Sequence, residues 1–304
     1  MASTRFVLAP DAPFDFEGTA YSHGWVVLAP NAWDESTRTM HRVHRLATGR
    51  VVRLALGAGE GSRSGVAVGV EHRGRLPAAD RRALEADVRH MFRLDEDLRP
   101  FYALCRGRGR PWNRVCGGLG RLLRSPTLFE DAVKTLCTTN VQWGGTKRMV
   151  RGLVDAFGAP WPADPSRRAF PTAEALAEVS PDRFAARTSL GYRAAYVHEL
   201  ARRVASGDID LDALARSRLP TAELRAELLA IRGVGPYAAA TLLMLLGRYD
   251  ELAVDSVFRE FVTEKYFGGE RPSEAEARAV YEGWGEWKYL AYWFDLWEGV
   301  TEGL

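Results

Sequence analysis

The spacing of hydrophobic and polar positions changes near residue 74. Between residues 20 and 72 the pattern is typical of strands, with a short apolar run at 24–28, alternation at 39–46 and 50–56, and a further strand at 65–70. Thr48-Gly49 separates the two alternating segments and predicts a hairpin turn between them. We therefore expect a small antiparallel β layer in the first quarter of the chain.

From Pro77 onward, apolar residues recur at helical spacing. The first such helix is predicted at 79–94, and Ser125-Pro126 is predicted to open the next one, as a capping residue followed by proline. Further helices are predicted at 146–157, 172–179, 194–206, 211–215, 221–229, 236–246, 256–267, 273–284 and 287–297. The predicted fold class is mainly α with a small N-terminal antiparallel β layer (α+β), divided into a β-rich domain at 1–76 and a helical domain at 77–304.

Composition excludes several classes of protein. The 304 residues are 46% hydrophobic and 26% charged, as in an ordinary soluble globular protein. No stretch approaches the roughly 18 apolar residues of a membrane span. The N-terminus lacks the long apolar core of a secretory signal, so a cytoplasmic location is expected, nucleoid-associated if the source is bacterial. We expect no contact with membrane.

Cysteine and histidine spacing argues against a metal site. The three scattered cysteines allow no disulfide framework, and they are one thiolate short of a four-cysteine iron–sulfur cluster. His41 and His44 fall in a predicted strand. We expect no metal and no cofactor.

Charge is informative only in its distribution. The formal net charge is +2, yet six arginines fall between residues 106 and 124, interleaved with glycine and tryptophan. This stretch is either a solvated face or a surface that contacts phosphates.

The most informative segment is Leu229–Ala240, which predicts two helices joined by a very short turn, over 222–246. Gly233 and Gly235 flank the apolar Val234, and Pro236 takes the first position of the second helix, where its missing N–H costs nothing. Glycine allows positive φ and close approach of another backbone. Unpaired N–H groups at such a helix start can bind a DNA phosphate without reading sequence; the alternative is an ordinary turn.

Some twenty residues further on, the apolar triplet Leu252-Ala253-Val254 leads directly into Asp255. Taken by itself, Asp255 is an N-cap whose carboxylate accepts a backbone N–H from the following helix. The spacing along the sequence between the two-glycine turn and Asp255 gives this aspartate a second, functional interpretation.

Ile-Arg-Gly-Val-Gly-Pro-Tyr-Ala at 231–238, followed by Ala-Val-Asp at 253–255, resembles the signature of the helix-hairpin-helix (HhH-GPD) DNA glycosylase superfamily. That superfamily includes alkylpurine, 8-oxoguanine, adenine-mismatch and endonuclease III-type enzymes. The resemblance implies the HhH-GPD architecture, double-stranded DNA containing a damaged base as partner, and Asp255 as catalytic carboxylate. It also implies that Gly233, Val234, Gly235 and Tyr237 contact DNA. We expect a monomer.

The resemblance covers roughly residues 115–300 and includes features of two branches of the superfamily. Asn140, Tyr192 and Arg193 match 8-oxoguanine-branch residues that enter the gap left by the flipped base. The segment 285–291 is more similar to the alkylpurine branch, and there Trp287, Tyr289 and Trp293 are candidates for the base pocket. The alternative role of these three aromatic residues is a packed aromatic core. For Asn140, Tyr192 and Arg193, the alternatives are a helix cap, a core residue and a solvated arginine, respectively.

Bifunctional members attack with a lysine placed early in the second hairpin helix. The corresponding residue is Tyr237, and no lysine occurs from Ile231 to Asp255. We therefore expect a monofunctional glycosylase without AP lyase activity. Alkylated purines are the favoured substrate, because an aromatic wall attracts cationic bases. The alternatives are a glycosylase for oxidised or deaminated purines opposite cytosine, and a non-catalytic helix-hairpin-helix DNA-binding protein, against which Asp255 argues.

Overall fold

The computed structural model describes residues 1–11, 13–59 and 65–301, with side chains as far as residue 297. The chain forms two compact units, each assembled from two stretches: Met1–Glu96 with Arg121–Ala215, and Asp97–Gly120 with Arg216–Leu304. The division drawn at 76/77 from the sequence falls just after the last strand of the five-stranded sheet and differs from the division into these units. Residues 302–304, which the sequence assigned to the helical domain, lie outside the described part.

The first unit contains a five-stranded sheet in which all neighbouring strands are antiparallel, in the order β1-β5-β4-β3-β2. The strands are β1 (Ala2–Leu8), β2 (Asn31–Asp34), β3 (Thr39–Arg45), β4 (Val51–Ala58) and β5 (Val66–His72). The predicted β layer is confirmed for β3, β4 and β5. Because one face of the sheet is covered, alternate residues such as Leu54, Leu56 and Val68 are at most 1% exposed.

Two features of this layer differ from the prediction. The apolar run at 24–28 is not a strand: Gly24 has a left-handed φ of 91°, and Trp25–Val27 forms a 3-10 helix. The edge strands β1 and β2 were not predicted, because edge strands are partly exposed on both faces and their hydrophobic alternation is weak.

Helices complete the first unit: α1 (Phe16–Ala20), α2 (Ala78–Met91), α5 (Leu128–Thr138), α6 (Trp143–Phe157), α7 (Ala173–Ala177), α8 (Pro181–Arg187), α9 (Arg193–Ala205) and α10 (Leu211–Ala215). A small hairpin, β6 (Pro160–Trp161) with β7 (Asp164–Arg168), follows α6. The expectation that Ser125-Pro126 opens a helix was wrong: α5 starts at Leu128, and Thr127 Oγ1 caps it by accepting from the Glu130 N–H at 3.2 Å.

A buried charged network joins β3 to α5. Both carboxylate oxygens of Glu130 accept from the Arg42 guanidinium, at 2.9 and 2.5 Å, and Oε1 also pairs with Lys134 Nζ at 2.7 Å. Burial by itself raises the pKa of Glu130, but the two cations lower it to about 2. All three side chains are at most 4% exposed, so the pairing offsets the cost of removing these charges from water.

The second unit contains α3 (Arg99–Cys105), α4 (Trp112–Val115), α11 (Thr221–Leu229), α12 (Pro236–Leu245), α13 (Ser256–Phe267), α14 (Glu274–Glu282) and α15 (Lys288–Thr301). The short helices α1, α3, α4 and α8 were not predicted, because each spans only two turns or fewer. Among the described residues, no helix combines the length and apolar character needed to cross a bilayer. The predicted fold class, mainly α with an N-terminal antiparallel layer, is confirmed.

Candidate active site

The hairpin of α11 and α12 has the tight geometry that its glycines predict, although only one glycine is required by backbone conformation. Gly233 has φ of 90°, in the left-handed region, whereas Gly235 is extended at φ −91° and ψ −175°. Val234 between them is 6% exposed and its N–H donates to the Ile231 carbonyl at 3.0 Å. Val234 thus anchors the turn from inside and is not an exposed contact residue.

The start of α12 leaves backbone donors free. Gly235 is its N-cap and has no side chain to accept an N–H, and a Cβ at Gly235 would meet no atom within 4 Å. Within the described part of the chain, the N–H groups of Gly233, Gly235 and Tyr237 donate no hydrogen bond. These donors lie beside the positive end of a ten-residue helix, so the turn can bind an oxyanion.

Asp255 is the N-cap of α13. Its Oδ1 accepts from the Phe258 N–H at 2.8 Å, while its Oδ2 accepts no hydrogen bond from any residue the structure describes. The side chain is half-buried and lines a cleft of about 460 Å³ with Pro236, Tyr237 and Ala240 of α12. One oxygen therefore fixes the orientation of the carboxylate, and the other is available for a ligand.

Besides the apolar residues 252–254, charged side chains that sequence reasoning missed also line this cleft. They are Arg225, Glu251, Glu274 and Arg278. Glu274 accepts from Arg259 at 2.7 Å and from Arg278 at 3.1 Å, and both arginines lower its pKa. No local pattern marks these residues, because they come from separate parts of the chain that only the fold brings together.

Two buried tyrosines of α15, Tyr289 and Tyr292, lie close enough to Asp255 for its charge to affect them. Burial raises the pKa of Tyr289 and of Tyr292 well above the ordinary value, and the Asp255 carboxylate and Tyr237 raise both further. Neither hydroxyl has a hydrogen-bond partner among the described residues. Both phenols therefore remain neutral and are free to donate.

The other two aromatic residues predicted for the base pocket, Trp287 and Trp293, stack on aromatic side chains of the same unit. The Trp287 ring stacks on Phe101 at 5.5 Å and on Tyr249 at 5.7 Å between centroids, and Trp293 stacks on Tyr289 at 6.2 Å. Both tryptophans are half-buried. Stacking of this kind fixes the positions of the two tryptophan rings and thereby helps to hold α15 in place.

The first unit brings Asn140, Tyr192 and Arg193 together. Asn140 has φ of 46°, and its Nδ2 donates to the Tyr192 hydroxyl at 3.4 Å, a contact that lowers the pKa of Tyr192. Tyr192 is 54% exposed, whereas Arg193 is 7% exposed and donates to the Thr139 and Asn140 carbonyls. Arg193 also lies over the Tyr192 ring at 4.4 Å, so it holds the other two residues from beneath.

The arginine-rich stretch at 106–124 does not form one surface. In the first unit, Arg121 is completely buried, and its guanidinium donates to the carbonyls of Pro13, Arg93 and Glu96. Neither interpretation offered by the sequence fits Arg121, which ties loops together.

The arginines of this stretch that belong to the second unit are different. Arg108 lies over the Trp284 ring at 4.2 Å, while Arg106, Arg110 and Arg114 are exposed. For these exposed side chains, both interpretations of the sequence stay open.

In the described ranges, no three His, Cys, Asp or Glu side chains are grouped closely enough to hold a metal ion. The described lining of the cleft offers a ligand the Asp255 carboxylate, the Tyr237 phenol and the charged side chains named above, with backbone N–H groups at the start of α12.

Comparison with known proteins places this geometry in a family. The family model for HhH-GPD superfamily base excision DNA repair proteins matches residues 133–286, just over half of the chain, including the hairpin and Asp255. The DNA-3-methyladenine glycosylase of Bacillus subtilis (strain 168) is 26% identical over 215 residues, which cover 69% of this chain and 70% of that protein.

Solved structures share the fold. The 3-methyladenine DNA glycosylase from Archaeoglobus fulgidus is 19% identical, with a TM-score of 0.73 over 98% of this chain and 99% of that one. The Clostridium acetobutylicum 8-oxoguanine glycosylase/lyase, in complex with double-stranded DNA containing cytosine opposite 8-oxoG, is 16% identical, with a TM-score of 0.67 over 98% and 99% of the two chains. With its two-glycine hairpin and the aspartate that follows it, the chain belongs to the HhH-GPD superfamily of base excision DNA repair proteins.

Proposed function

We propose that this DNA glycosylase removes a damaged purine, an alkylated one in preference, by hydrolysing its N-glycosidic bond with Asp255 and without cutting the strand. The observation that carries the proposal is the Asp255 carboxylate, which is oriented by one oxygen and free at the other among the described residues. Asp255 shares its cleft with Pro236 and Tyr237 at the start of α12, where backbone N–H groups suited to a DNA phosphate are free among the described residues.

The mechanism follows from the position of the target bond. The nucleotide must leave the stack to be reached, at a cost of a few kcal/mol. The free N–H groups at Gly233, Gly235 and Tyr237 would hold a backbone phosphate during this step. As the bond to the base lengthens, positive charge develops on the sugar, and the Asp255 carboxylate would stabilise it and orient the attacking water.

The absence of a lyase step is proposed from the residue at the nucleophile position. Tyr237 stands there, and its phenol cannot form a Schiff base with the sugar. The Arg248 guanidinium donates to the Ser217 carbonyl at 2.8 Å, and an arginine side chain does not act as a Schiff-base nucleophile. The product should be an intact strand with an abasic site, which breaks only after alkali, and borohydride should trap no covalent complex.

The preference for alkylated purines is supported by the tyrosines at the carboxylate. Tyr237 is partly exposed and lines the cleft with Asp255, so its electron-rich ring suits a cationic base, while the buried Tyr289 and Tyr292 lie close enough for the Asp255 charge to affect them. Trp287, Tyr289 and Trp293 stay our candidates for the pocket wall. The curated relative and a structural neighbour are both named as 3-methyladenine glycosylases.

A second candidate substrate is an oxidised or deaminated purine opposite cytosine. It is favoured by the cluster of Asn140, Tyr192 and Arg193, in which an exposed tyrosine and an asparagine are held ready for an orphaned base. The Clostridium neighbour is named as an 8-oxoguanine glycosylase/lyase. A panel of duplexes that each carry one lesion, opposite each of the four bases, distinguishes the two candidates.

The experiment that tests the catalytic assignment is Asp255→Asn. Asparagine is as good an N-cap as aspartate, so the fold and DNA binding should persist while base release falls by about 10³-fold. Glu260→Gln is the matched control, since Glu260 is exposed on the same helix and should change nothing. Release at the parent rate by the Asp255→Asn variant would remove Asp255 from the mechanism, and a parent that binds DNA but releases no base would leave only a binding protein.

A further inference from the structure

A second cleft, of about 330 Å³, lies in the first unit among β2, β3, β4, α6 and β7. It is lined by an unusual number of cations: Arg42, Arg53, Arg151, Arg167 and Arg168. Among its described lining residues there is no carboxylate. We call it the arginine cleft.

Carboxylates that lie outside the lining of the cleft neutralise part of this positive charge. Arg42 pairs with Glu130, Arg53 with Glu71 at 2.8 Å, and Arg167 with Asp164 at 3.2 Å. Two charges have no carboxylate partner in the described structure. Arg168 donates to the Gly158 carbonyl at 2.9 Å, and the exposed Arg151 makes no polar contact with any described residue. The cleft therefore carries two uncompensated positive charges.

Two buried donors in the same lining are unsatisfied. The Nε–H groups of Arg42 and Arg53 are buried and have no hydrogen-bond partner among the described residues, and Arg42 as a whole is only 3% exposed. A buried donor left without an acceptor is costly and rare in native proteins. These two groups are buried beneath the surface of the cleft, so they add positive potential to its lining without contacting a ligand directly.

His41 adds a donor without adding charge. Its Nδ1 accepts from Arg53 Nη2 at 3.2 Å, which places the ring proton on Nε2. Burial lowers the pKa of His41, and the Arg53 charge lowers it further, so the ring is neutral near pH 7. A lining rich in guanidinium groups, with an imidazole N–H beside them, is complemented by a ligand that carries acceptors.

We propose that the arginine cleft binds a phosphate-class oxyanion. A tetrahedral oxyanion offers several acceptor oxygens at once, which suits planar guanidinium forks converging from different elements. The anion is either a phosphodiester of the DNA strand or free inorganic phosphate; the chemistry of recognition is the same. The cleft belongs to the first unit, whereas the hairpin and Asp255 belong to the second, so this is a site additional to the proposed active site.

The test titrates the full chain with inorganic phosphate at constant ionic strength, followed by calorimetry and by ³¹P line broadening. Arg151→Gln removes an exposed, unbonded side chain and should not disturb folding; the double variant R151Q/R168Q removes both uncompensated charges. R183Q and R183Q/R202Q are the matched controls, because both arginines are exposed helix residues of the same unit and neither lines the cleft. The parent should show one saturable site, weakened roughly tenfold by each cleft substitution and unchanged by the controls.

A second arm uses an undamaged duplex and measures how its affinity depends on salt. If the anion is a DNA phosphodiester, free phosphate competes with the duplex and R151Q/R168Q flattens the slope of log K against log salt by about 1 to 2. If phosphate binding is lost but the slope is unchanged, the cleft holds free phosphate. Absence of a saturable phosphate site in the parent, or equal weakening in the controls, overturns the proposal. None of these readouts depends on base release, so the proposal and the catalytic role of Asp255 can fail separately.

Discussion

At the scale of single residues, buried charge has the largest energetic consequences. Glu130 is paired with two cations, Arg42 and Lys134, in a core from which water is excluded. Such a cluster gives little net stability over an apolar replacement, but removing one partner leaves the others unpaired. By the same reasoning, Asp255 is only half-buried and is bonded through one oxygen, so we expect its replacement by asparagine to leave the fold intact.

Glu130→Gln should lower the free energy of unfolding by about 3–5 kcal/mol at pH 7, because two buried cations lose their counter-charge. The pKa of Glu130 is depressed in the folded protein to about 2, below the unfolded value of about 4.3, so its contribution is complete above the unfolded value and is lost as the pH falls toward 2. The difference between parent and variant should therefore shrink in acid. Urea unfolding at several pH values measures it.

Glu174→Gln serves as the control for that series, since Glu174 is exposed in the same unit and should change stability by less than about 0.5 kcal/mol. A constant difference between parent and Glu130→Gln from pH 7 down to acid would contradict the ionic explanation.

At the scale of the element, the two hairpin glycines have separate tasks. Gly233 supplies a left-handed backbone, which an L side chain adopts only at a cost of about 1–2 kcal/mol. Gly235 is extended, with open space where a side chain would stand. Gly233 is required by its backbone conformation, whereas a glycine at position 235 keeps the N-terminus of α12 accessible.

We expect Gly233→Ala to destabilise the protein by about 1–2 kcal/mol, measured by urea unfolding. A stability equal to that of the parent would show that the left-handed backbone at this position costs an L side chain nothing.

Gly235→Ser should leave stability unchanged, since serine is a good N-cap at this extended position, yet weaken binding to a duplex roughly tenfold. The serine hydroxyl would satisfy an N–H that the phosphate otherwise uses and would stand in its path. Fluorescence anisotropy with a labelled duplex measures the change. Unchanged DNA affinity would show that the start of α12 does not contact phosphate.

At the scale of the whole molecule, the small net charge of +2 limits long-range attraction to DNA. We therefore expect DNA binding to depend on local donors such as the hairpin N–H groups, together with the arginine cleft if its anion is a DNA phosphodiester. Buried arginines such as Arg121 add to the formal charge but cannot reach a phosphate.

We expect only about two or three phosphates to be neutralised, which gives a slope of log K against log salt of about −2 to −3 for undamaged duplex. By the same relation, affinity would fall roughly 15- to 60-fold between 50 and 200 mM salt. Fluorescence anisotropy over this range measures the slope. A slope steeper than about −6 would mean that a much larger basic surface contacts the DNA.

The sequence by itself determined the features that depend on local spacing. Alternation over 39–56 predicted β3 and β4, helical periodicity predicted most helices of both units, and the distance from the two-glycine turn to Asp255 predicted the family. These predictions succeeded because period, turn residues and helix caps are set by neighbours within a few positions.

Only the tertiary structure decided what depends on burial and on distant partners. It turned the apolar run at 24–28 into a 3-10 helix, buried Arg121 and Arg193 beneath loops, and gathered the arginine cleft from five elements. It also left one oxygen of Asp255 without a partner among the described residues. An arginine has the same letter in the sequence whether it faces solvent or fills a core, because the desolvation that distinguishes the two cases is created by residues far away along the chain.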